Sequence, residues 1–338
     1  MKDGKFITLG IETSCDETAA AVVADGRDLL SNIISTQIDI HTAYGGVVPE
    51  IASRKHLEDI NRCIQAALDE AKVSMDQVDL IGVTYGPGLI GALVIGVAAA
   101  KALTLATGKP LIGVNHMHGH ISSNYLTYSK LEPPFLSLVV SGGHTNIVYV
   151  KDYNDYEVLG GTRDDAIGEA YDKVARVIGL GYPGGPKIDG AAREGDPDAI
   201  QFKRVYLEKG SYDFSFSGIK TQVLNYVNSE TQAGREVNIN DVAAGFQEAC
   251  TEVITEKIID AAKELKENRI VVAGGVAANS RLREMLAGKC DAMGIELFLP
   301  DKSLCTDNAA MIACAAHYEY KLGREDDLKL DAYANLDF

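Results

Sequence analysis

The chain has 338 residues, enough for two domains at roughly 150 residues each. Apolar residues make up 46% and charged residues 24%, with no Trp, which supports an ordinary buried core and excludes disordered, collagenous and low-complexity classes. The net charge of −16 excludes a general basic coat, so a nucleic-acid partner needs a local basic patch or one lent by another protein.

Taken in order, 6–11 reads as a strand, 12–18 as a polar turn and 19–23 as a returning strand. The same grammar recurs at 136–140, 141–146 and 147–150, a pattern-level duplication about one domain apart. Between the copies, a helix is predicted over 49–71 and a strand over 80–84. Gly86-Pro87-Gly88 then breaks the chain before a Gly/Ala-rich helix over 89–106. The longest apolar run, 88–100, has 13 residues where a bilayer needs about 20, so it reads as a buried helix of a soluble protein with no membrane partner. A strand over 109–114 leads to Asn115, an N-cap for a helix reaching 128.

Beyond Pro133-Pro134, apolar residues at Ile167, Ala170, Tyr171, Val174, Val177 and Ile178 predict a helix within 162–178, ended by Gly179. Segment 179–190 holds five Gly and two Pro and is expected to be a turn-rich loop. A strand over 270–273 runs into Gly274-Gly275, followed by helices over 279–286 and 306–322. Strands alternating with helices in two halves predict α/β domains facing a central cleft. Six scattered cysteines without a CxxC pair argue for reduced thiols in the cytoplasm, and the apolar run at 6–11 is too short for a signal-peptide core.

The sharpest chemical signal is His116-Met117-His118-Gly119-His120, which gathers three of the seven histidines. On a helix, His116 and His120 share one face and can grip one cation, while His118 points away. A carboxylate is the usual third ligand. Asp307, at the start of the last helix, reads in isolation as a helix cap. Ser141-Gly142-Gly143 between two strands offers backbone N–H groups to a phosphate or carboxylate, and Gly274-Gly275 before Asn279 resembles a strand-to-helix nucleotide turn. Neither GxGxxG nor P-loop spacing is present; jointly the loops point to an adenine nucleotide in the cleft. Asp165, Glu169, Asp172 and Arg176 form a polar stripe whose default role is solvation, although Asp172 and Asp189 are suited to accept from ribose hydroxyls. Glu12, Asp16 and Glu17 crowd more acid into the first hairpin than a turn requires, enough to orient a metal–phosphate group or take a proton. Cys15 between them reads as a small buried residue.

With these residues in place, the whole chain resembles the tRNA threonylcarbamoyladenosine transferase family, bacterial TsaD type, formerly called O-sialoglycoprotein endopeptidases. The resemblance rests on Leu9-Gly10-Ile11-Glu12-Thr13-Ser14-Cys15-Asp16-Glu17-Thr18, the histidine block, and Val139-Val140-Ser141-Gly142-Gly143-His144-Thr145. It extends through Gly168-Glu169-Ala170-Tyr171-Asp172-Lys173, Tyr182-Pro183-Gly184-Gly185-Pro186, Phe214-Ser215-Phe216-Ser217-Gly218-Ile219-Lys220 and Gly274-Gly275-Val276-Ala277-Ala278-Asn279-Ser280. His118 stands where relatives often carry Glu or Ala.

The resemblance implies the actin/hexokinase/Hsp70 (ASKHA) architecture, with subdomains at 1–110, joined by the tail 323–338, and 111–322, the latter carrying most metal and adenylate ligands. It implies a divalent metal on His116, His120 and Asp307, iron(II) favoured over zinc. It places threonylcarbamoyl-AMP on Val139, Val140, Ser141, Gly142 and Gly143, with Asp172, Gly185, Asp189 and Asn279 around its ribose and adenine. The implied reaction moves the threonylcarbamoyl group to the N6 amine of the tRNA adenosine beside the anticodon, releasing AMP, with Asp16 or Glu17 taking the proton. Implied partners are a TsaB-like paralogue, a TsaE-like ATPase and a TsaC-like enzyme that makes the adenylate. An ATPase or sugar kinase of the same fold has no use for paired helix histidines. A zinc protease of the HExxH type needs a Glu where Met117 stands.

Overall fold

Six consecutive buried residues, Ile7–Glu12, form β1, so both faces of this strand are covered. It pairs antiparallel with β2 (Glu17–Ala24), which pairs antiparallel with β3 (Asp28–Thr36). After α1 (Ile38–Thr42) and α2 (Pro49–Ala71), β4 (Leu80–Gly86) joins β1 in parallel. α3 (Ile90–Thr107) then leads to β5 (Leu111–Asn115), parallel to β4, and α4 (His116–Thr127) follows at once. The sheet order is β3-β2-β1-β4-β5. The computed structural model describes residues 4–338.

A second sheet repeats the plan. β6 (Phe135–Val140) and β7 (Thr145–Asp152) form the hairpin, followed by β8 (Asp155–Gly161). Four helices follow: α5 (Ile167–Val177), α6 (Gly184–Ala192), α7 (Ser217–Gln232) and α8 (Ile239–Leu265). β9 (Arg269–Ala273) joins β6 in parallel, and α9 (Ser280–Met293) connects it to β10 (Glu296–Phe298). The order β10-β9-β6-β7-β8 is the first order read from its other edge, with β6 in the place of β1. The last helix, α10 (Ala309–Lys321), returns to the first sheet.

The alternation along β1 decides what each face meets. Ile7, Leu9 and Ile11 pack with Ile60, Ile64 and Ala67 of α2 and with Leu93 and Val97 of α3. Gly10 and Glu12 belong to the opposite face, which α10 covers. A Cβ on Gly10 would lie 2.2 Å from the Ala309 carbonyl oxygen, and one on Gly82 would lie 2.5 Å from Ala316 Cβ. Glycines in the strands and alanines in α10 thus let helix backbone touch sheet backbone.

The chain divides into a first unit of Met1–Pro133, Lys151–Tyr156 and Pro300–Phe338 and a second of Pro134–Val150 and Glu157–Leu299. The sequence-derived boundary at 110/111 falls inside the first unit. The 116–127 helix stays with the first unit because Gly119 lets it close against Ile312 and Met311 of α10. All three expected metal ligands therefore lie in the first unit, not in the second. The tail also belongs there: Tyr333 N–H donates to the Tyr85 carbonyl, and Lys101 Nζ donates to the Leu330 carbonyl. Segment 179–190 is a loop only in part, since α6 starts at Gly184.

Candidate metal centre and nucleotide loops

The Asn115 side chain accepts from the Met117 N–H at 2.9 Å, so the residue that ends β5 also caps α4. His116 is the first residue after that cap, and His120 follows one turn later. Their rings meet edge to face with centroids 4.6 Å apart. His118 is directed elsewhere, stacked on Tyr156 at 4.0 Å and 3.6 Å from Glu319.

Asp307 arrives from the other end of the chain. Asn308, not Asp307, caps α10: its Oδ1 accepts from the Met311 N–H, and its Nδ2 donates to the Thr306 carbonyl. Freed from capping, Asp307 places Oδ1 3.4 Å from His116 Nε2 and 3.2 Å from His120 Nε2. One donor atom from each residue lies within 4.8 Å of the others. His120 is fully buried, and neither of its ring nitrogens has a well-aligned hydrogen bond among the described residues. Two imidazoles and a carboxylate in this arrangement suit a divalent cation such as zinc or iron(II).

Behind His116 stands Glu12, whose Oε2 is 3.1 Å from His116 Nδ1. An ionised carboxylate only accepts, so Nδ1 carries a hydrogen; burial opposes a second proton on the ring, but Asp307 and Glu12 outweigh it, and a cation bound at Nε2 would take that proton's place. Ser14 N–H and the Thr84 hydroxyl donate to the same carboxylate. Burial alone would raise the Glu12 carboxyl; His116 and Thr84 outweigh it and hold it below its ordinary value. Burial likewise opposes ionisation of Asp307, but His116 and His120 keep its carboxyl well below the usual carboxylate range. Glu17 shows the opposite balance: burial, then Asp307 and Asp16, push it up to about 9.

The sequence reading singled out Glu12 but not its bond to His116. It also missed Thr84, Ser14 and His56, since nothing in local spacing links those residues to position 116.

In the second unit, Gly274 has φ +93°, and an added Cβ would lie 2.3 Å from the Val140 carbonyl oxygen. This glycine brings the turn after β9 against Val140, at the end of the Val139–Val140 strand segment. Gly168 packs as closely on Ser141, and Gly168 and Glu169 N–H groups donate to the Ser141 and Gly142 carbonyls. By contrast, a Cβ on Gly142, Gly143, Gly185 or Gly275 would meet nothing within 4 Å. Asp172 Oδ1 accepts from the Gly184 N–H at 2.7 Å, and Asp189 Oδ1 accepts from the Ser280 N–H and hydroxyl. Asn279 caps α9 through Oδ1 and donates from Nδ2 to Gln247. The turns at 141–143, 183–185 and 274–279 are thereby tied to one another through α5 and the start of α9.

Known proteins match most of the chain. A family model described as "TsaD: tRNA N6-adenosine threonylcarbamoyltransferase" matches residues 28–314. A tRNA N6-adenosine threonylcarbamoyltransferase of Clostridium botulinum (strain 657 / Type Ba4) is 59% identical over 328 residues, covering 97% of this chain and 96% of that protein. One from Clostridium perfringens (strain ATCC 13124) is 56% identical, covering 98% of both. Among solved structures, the activator of the 2-hydroxyisocaproyl-CoA dehydratase from Clostridium difficile with bound ADPNP is 12% identical at a TM-score of 0.54, covering 94% of this chain and 96% of that one. Full-length HypF in its phosphate- and nucleotide-bound form is 15% identical at a TM-score of 0.64, and the match spans 46% of that longer chain. These two likenesses concern the fold and place both units in the ASKHA class. On its family match and its full-length relatives, the chain belongs to the tRNA N6-adenosine threonylcarbamoyltransferase family.

Proposed function

We propose that the first unit holds a divalent cation on His116, His120 and Asp307, and that the second holds threonylcarbamoyl-AMP. The reaction is the family's: transfer of the threonylcarbamoyl group to the N6 amine of a tRNA adenosine. The observation that carries the proposal is the convergence of Asp307 on two imidazoles, one of which, His116, is held at its outer nitrogen by Glu12.

The chemistry is acyl transfer to a weak nucleophile, an amine whose lone pair is delocalised into the adenine ring. The mixed anhydride supplies AMP as leaving group. When bound, the cation supplies Lewis acidity toward oxygens of the threonylcarbamoyl group. The backbone N–H groups of Gly142 and Gly143 steady the phosphate or the charge that develops at the carbonyl, while the Ser141 N–H closes the turn on the His144 carbonyl. Gly185 leaves room for the adenylate, while Asp172, Asp189 and Asn279 meet its ribose and adenine. Asp16 or Glu17 takes the amine proton. Burial first, then Asp307 and Asp16, push Glu17 up to about 9, and engaging the Asp307 charge on a cation would ease one of these causes.

Iron(II) is the first choice of cation and zinc the second. The six cysteines are free, in keeping with a reducing cytoplasm. A TsaB-like paralogue, a TsaE-like ATPase and a TsaC-like adenylate-forming enzyme complete the system. The exposed apolar stripe of α3, with Ile90, Val94 and Leu105, supports docking of a protein partner. The net charge of −16 supports a partner's share in holding tRNA.

The test is mass spectrometry of tRNA nucleosides after incubation with bicarbonate, threonine, ATP and the three partners. His120→Ala, Asp307→Asn and metal-stripped protein should each lose at least about 100-fold in modified adenosine. Undiminished transfer by His120→Ala or by the stripped protein, or cleavage of a protein substrate in place of transfer, would overturn the assignment.

A further inference from the structure

The turn between β1 and β2 carries Ser14 and Asp16 and leads into Glu17, and its three successive carbonyls at Ser14, Cys15 and Asp16 are engaged from outside. Leu89 N–H, just before α3, donates to the Ser14 carbonyl at 2.8 Å. Gln37 N–H, after β3, donates to the Asp16 carbonyl at 3.0 Å. Between them, the Cys15 carbonyl lies 2.9 Å from Nε2 of His56, a buried residue of α2. The other nitrogen of that ring, Nδ1, lies 2.8 Å from the Thr18 hydroxyl. A carbonyl oxygen can only accept, so Nε2 carries the hydrogen; in a neutral ring Nδ1 is then an acceptor, and the Thr18 hydroxyl donates to it. Burial lowers the affinity of His56 for a second proton, which keeps the ring in this one-donor, one-acceptor form.

We propose that His56 is a positioning residue for the transfer reaction, fixing the turn at both Cys15 and Thr18 so that Asp16 and Glu17 between them hold one orientation. The inference rests on the reading that this turn carries the acid that takes the amine proton. His56 touches none of the three metal-binding residues by hydrogen bond, so its effect falls on the acids and not on cation binding. A helix residue 38 positions after Thr18 thus sets the backbone of the acidic turn.

The experiment compares His56→Leu, His56→Asn and His56→Gln in the full chain. A Gln amide places its nitrogen where Nε2 stands and keeps the bond to Cys15; Asn reaches only the Thr18 side. Three readouts are taken: amide hydrogen exchange over 15–18, kcat and KM for threonylcarbamoyl-AMP, and Co2+ affinity by absorption. His56→Leu should speed exchange and lower kcat, each by at least 10-fold, with KM and Co2+ affinity within threefold of wild type. His56→Gln should recover kcat to within threefold, and His56→Asn should remain at least 10-fold down. If His56→Leu fails to fold, the Asn–Gln comparison carries the test. Unchanged exchange or kcat in both the Leu and Asn variants, or parallel loss of Co2+ binding and KM, overturns the proposal. A wild-type chain that modifies no tRNA under these conditions overturns the transferase reading instead, and hydrogen exchange alone then decides the positioning role.

Discussion

Glu12 makes the paired histidines unequal. His116 has its outer nitrogen anchored to a carboxylate that is itself held by Ser14 and Thr84, whereas His120 has no such anchor among the described residues. Glu12→Gln keeps an acceptor oxygen but removes the charge that raises the basicity of His116 as a ligand. Cation affinity should fall by about 10- to 100-fold, read by Zn2+ or Co2+ titration, with the fold retained. Retention of full affinity would show that the carboxylate is structural only. At this scale the sequence was legible where chemistry and spacing coincide: two histidines one helical turn apart announce a shared face. Asp307 was legible only by resemblance, because its partners lie more than half the chain away. Its neighbour Asn308 takes the capping role that Asp307 seemed to fill. His56 carries no local mark, being one more buried histidine on an amphipathic helix.

Among the elements, α10 sets the centre because its alanines ride on strand glycines. A methyl group at Gly10 would have to displace the Ala309 carbonyl and the Ala313 amide, both backbone, so no side-chain rotation relieves it. Gly10→Ala should cost about 3 kcal/mol in urea unfolding and weaken cation binding, since Asp307 moves with the start of α10. Gly142→Ala meets open space and should change stability by no more than about 0.5 kcal/mol. Equal stability of the two variants would count against the helix-on-sheet contact. Much of the first unit was readable from apolar runs and breakers, down to the bounds of α2 at 49 and 71, although β3 and α1 were not. α8 was not. It is buried on most sides, Gln247, Thr251, Thr255 and Lys257 included, so it shows no single apolar stripe. α6 hid because Gly and Pro at its start are turn signals that also suit the first turn of a helix.

For the molecule as a whole, stability in acid should report on His317. This buried ring packs edge-on against Phe6, and burial, with Lys321 nearby, lowers it to about 4 from an ordinary 6.5. The folded state therefore keeps it neutral where the unfolded chain is already protonated. Its contribution is complete above pH 6.5 and is lost as pH falls from there through 4, by on the order of 3 kcal/mol at most. His317→Gln should flatten that part of the stability–pH curve in denaturant titrations; an unchanged slope would assign the acid sensitivity elsewhere. The duplication was visible as two similar hairpins, but the boundary was not. The resemblance joined the tail 323–338 to the first unit, but nothing in composition says that residues 111–133 and 300–322 belong there too, since that follows from helix packing between distant segments.

Vectorial synthesis gives this discontinuous unit an awkward adolescence. α10 leaves the ribosome after the entire second unit, so the strand face of Ala19, Ala21, Leu80, Ile112 and Val114 waits uncovered. At about 5–20 residues per second, that wait lasts roughly 10–40 s beyond the completion of the earlier strands. Nascent chains stalled before residue 300 should cross-link to a chaperone that binds apolar surface, and chains extended past 321 should release it.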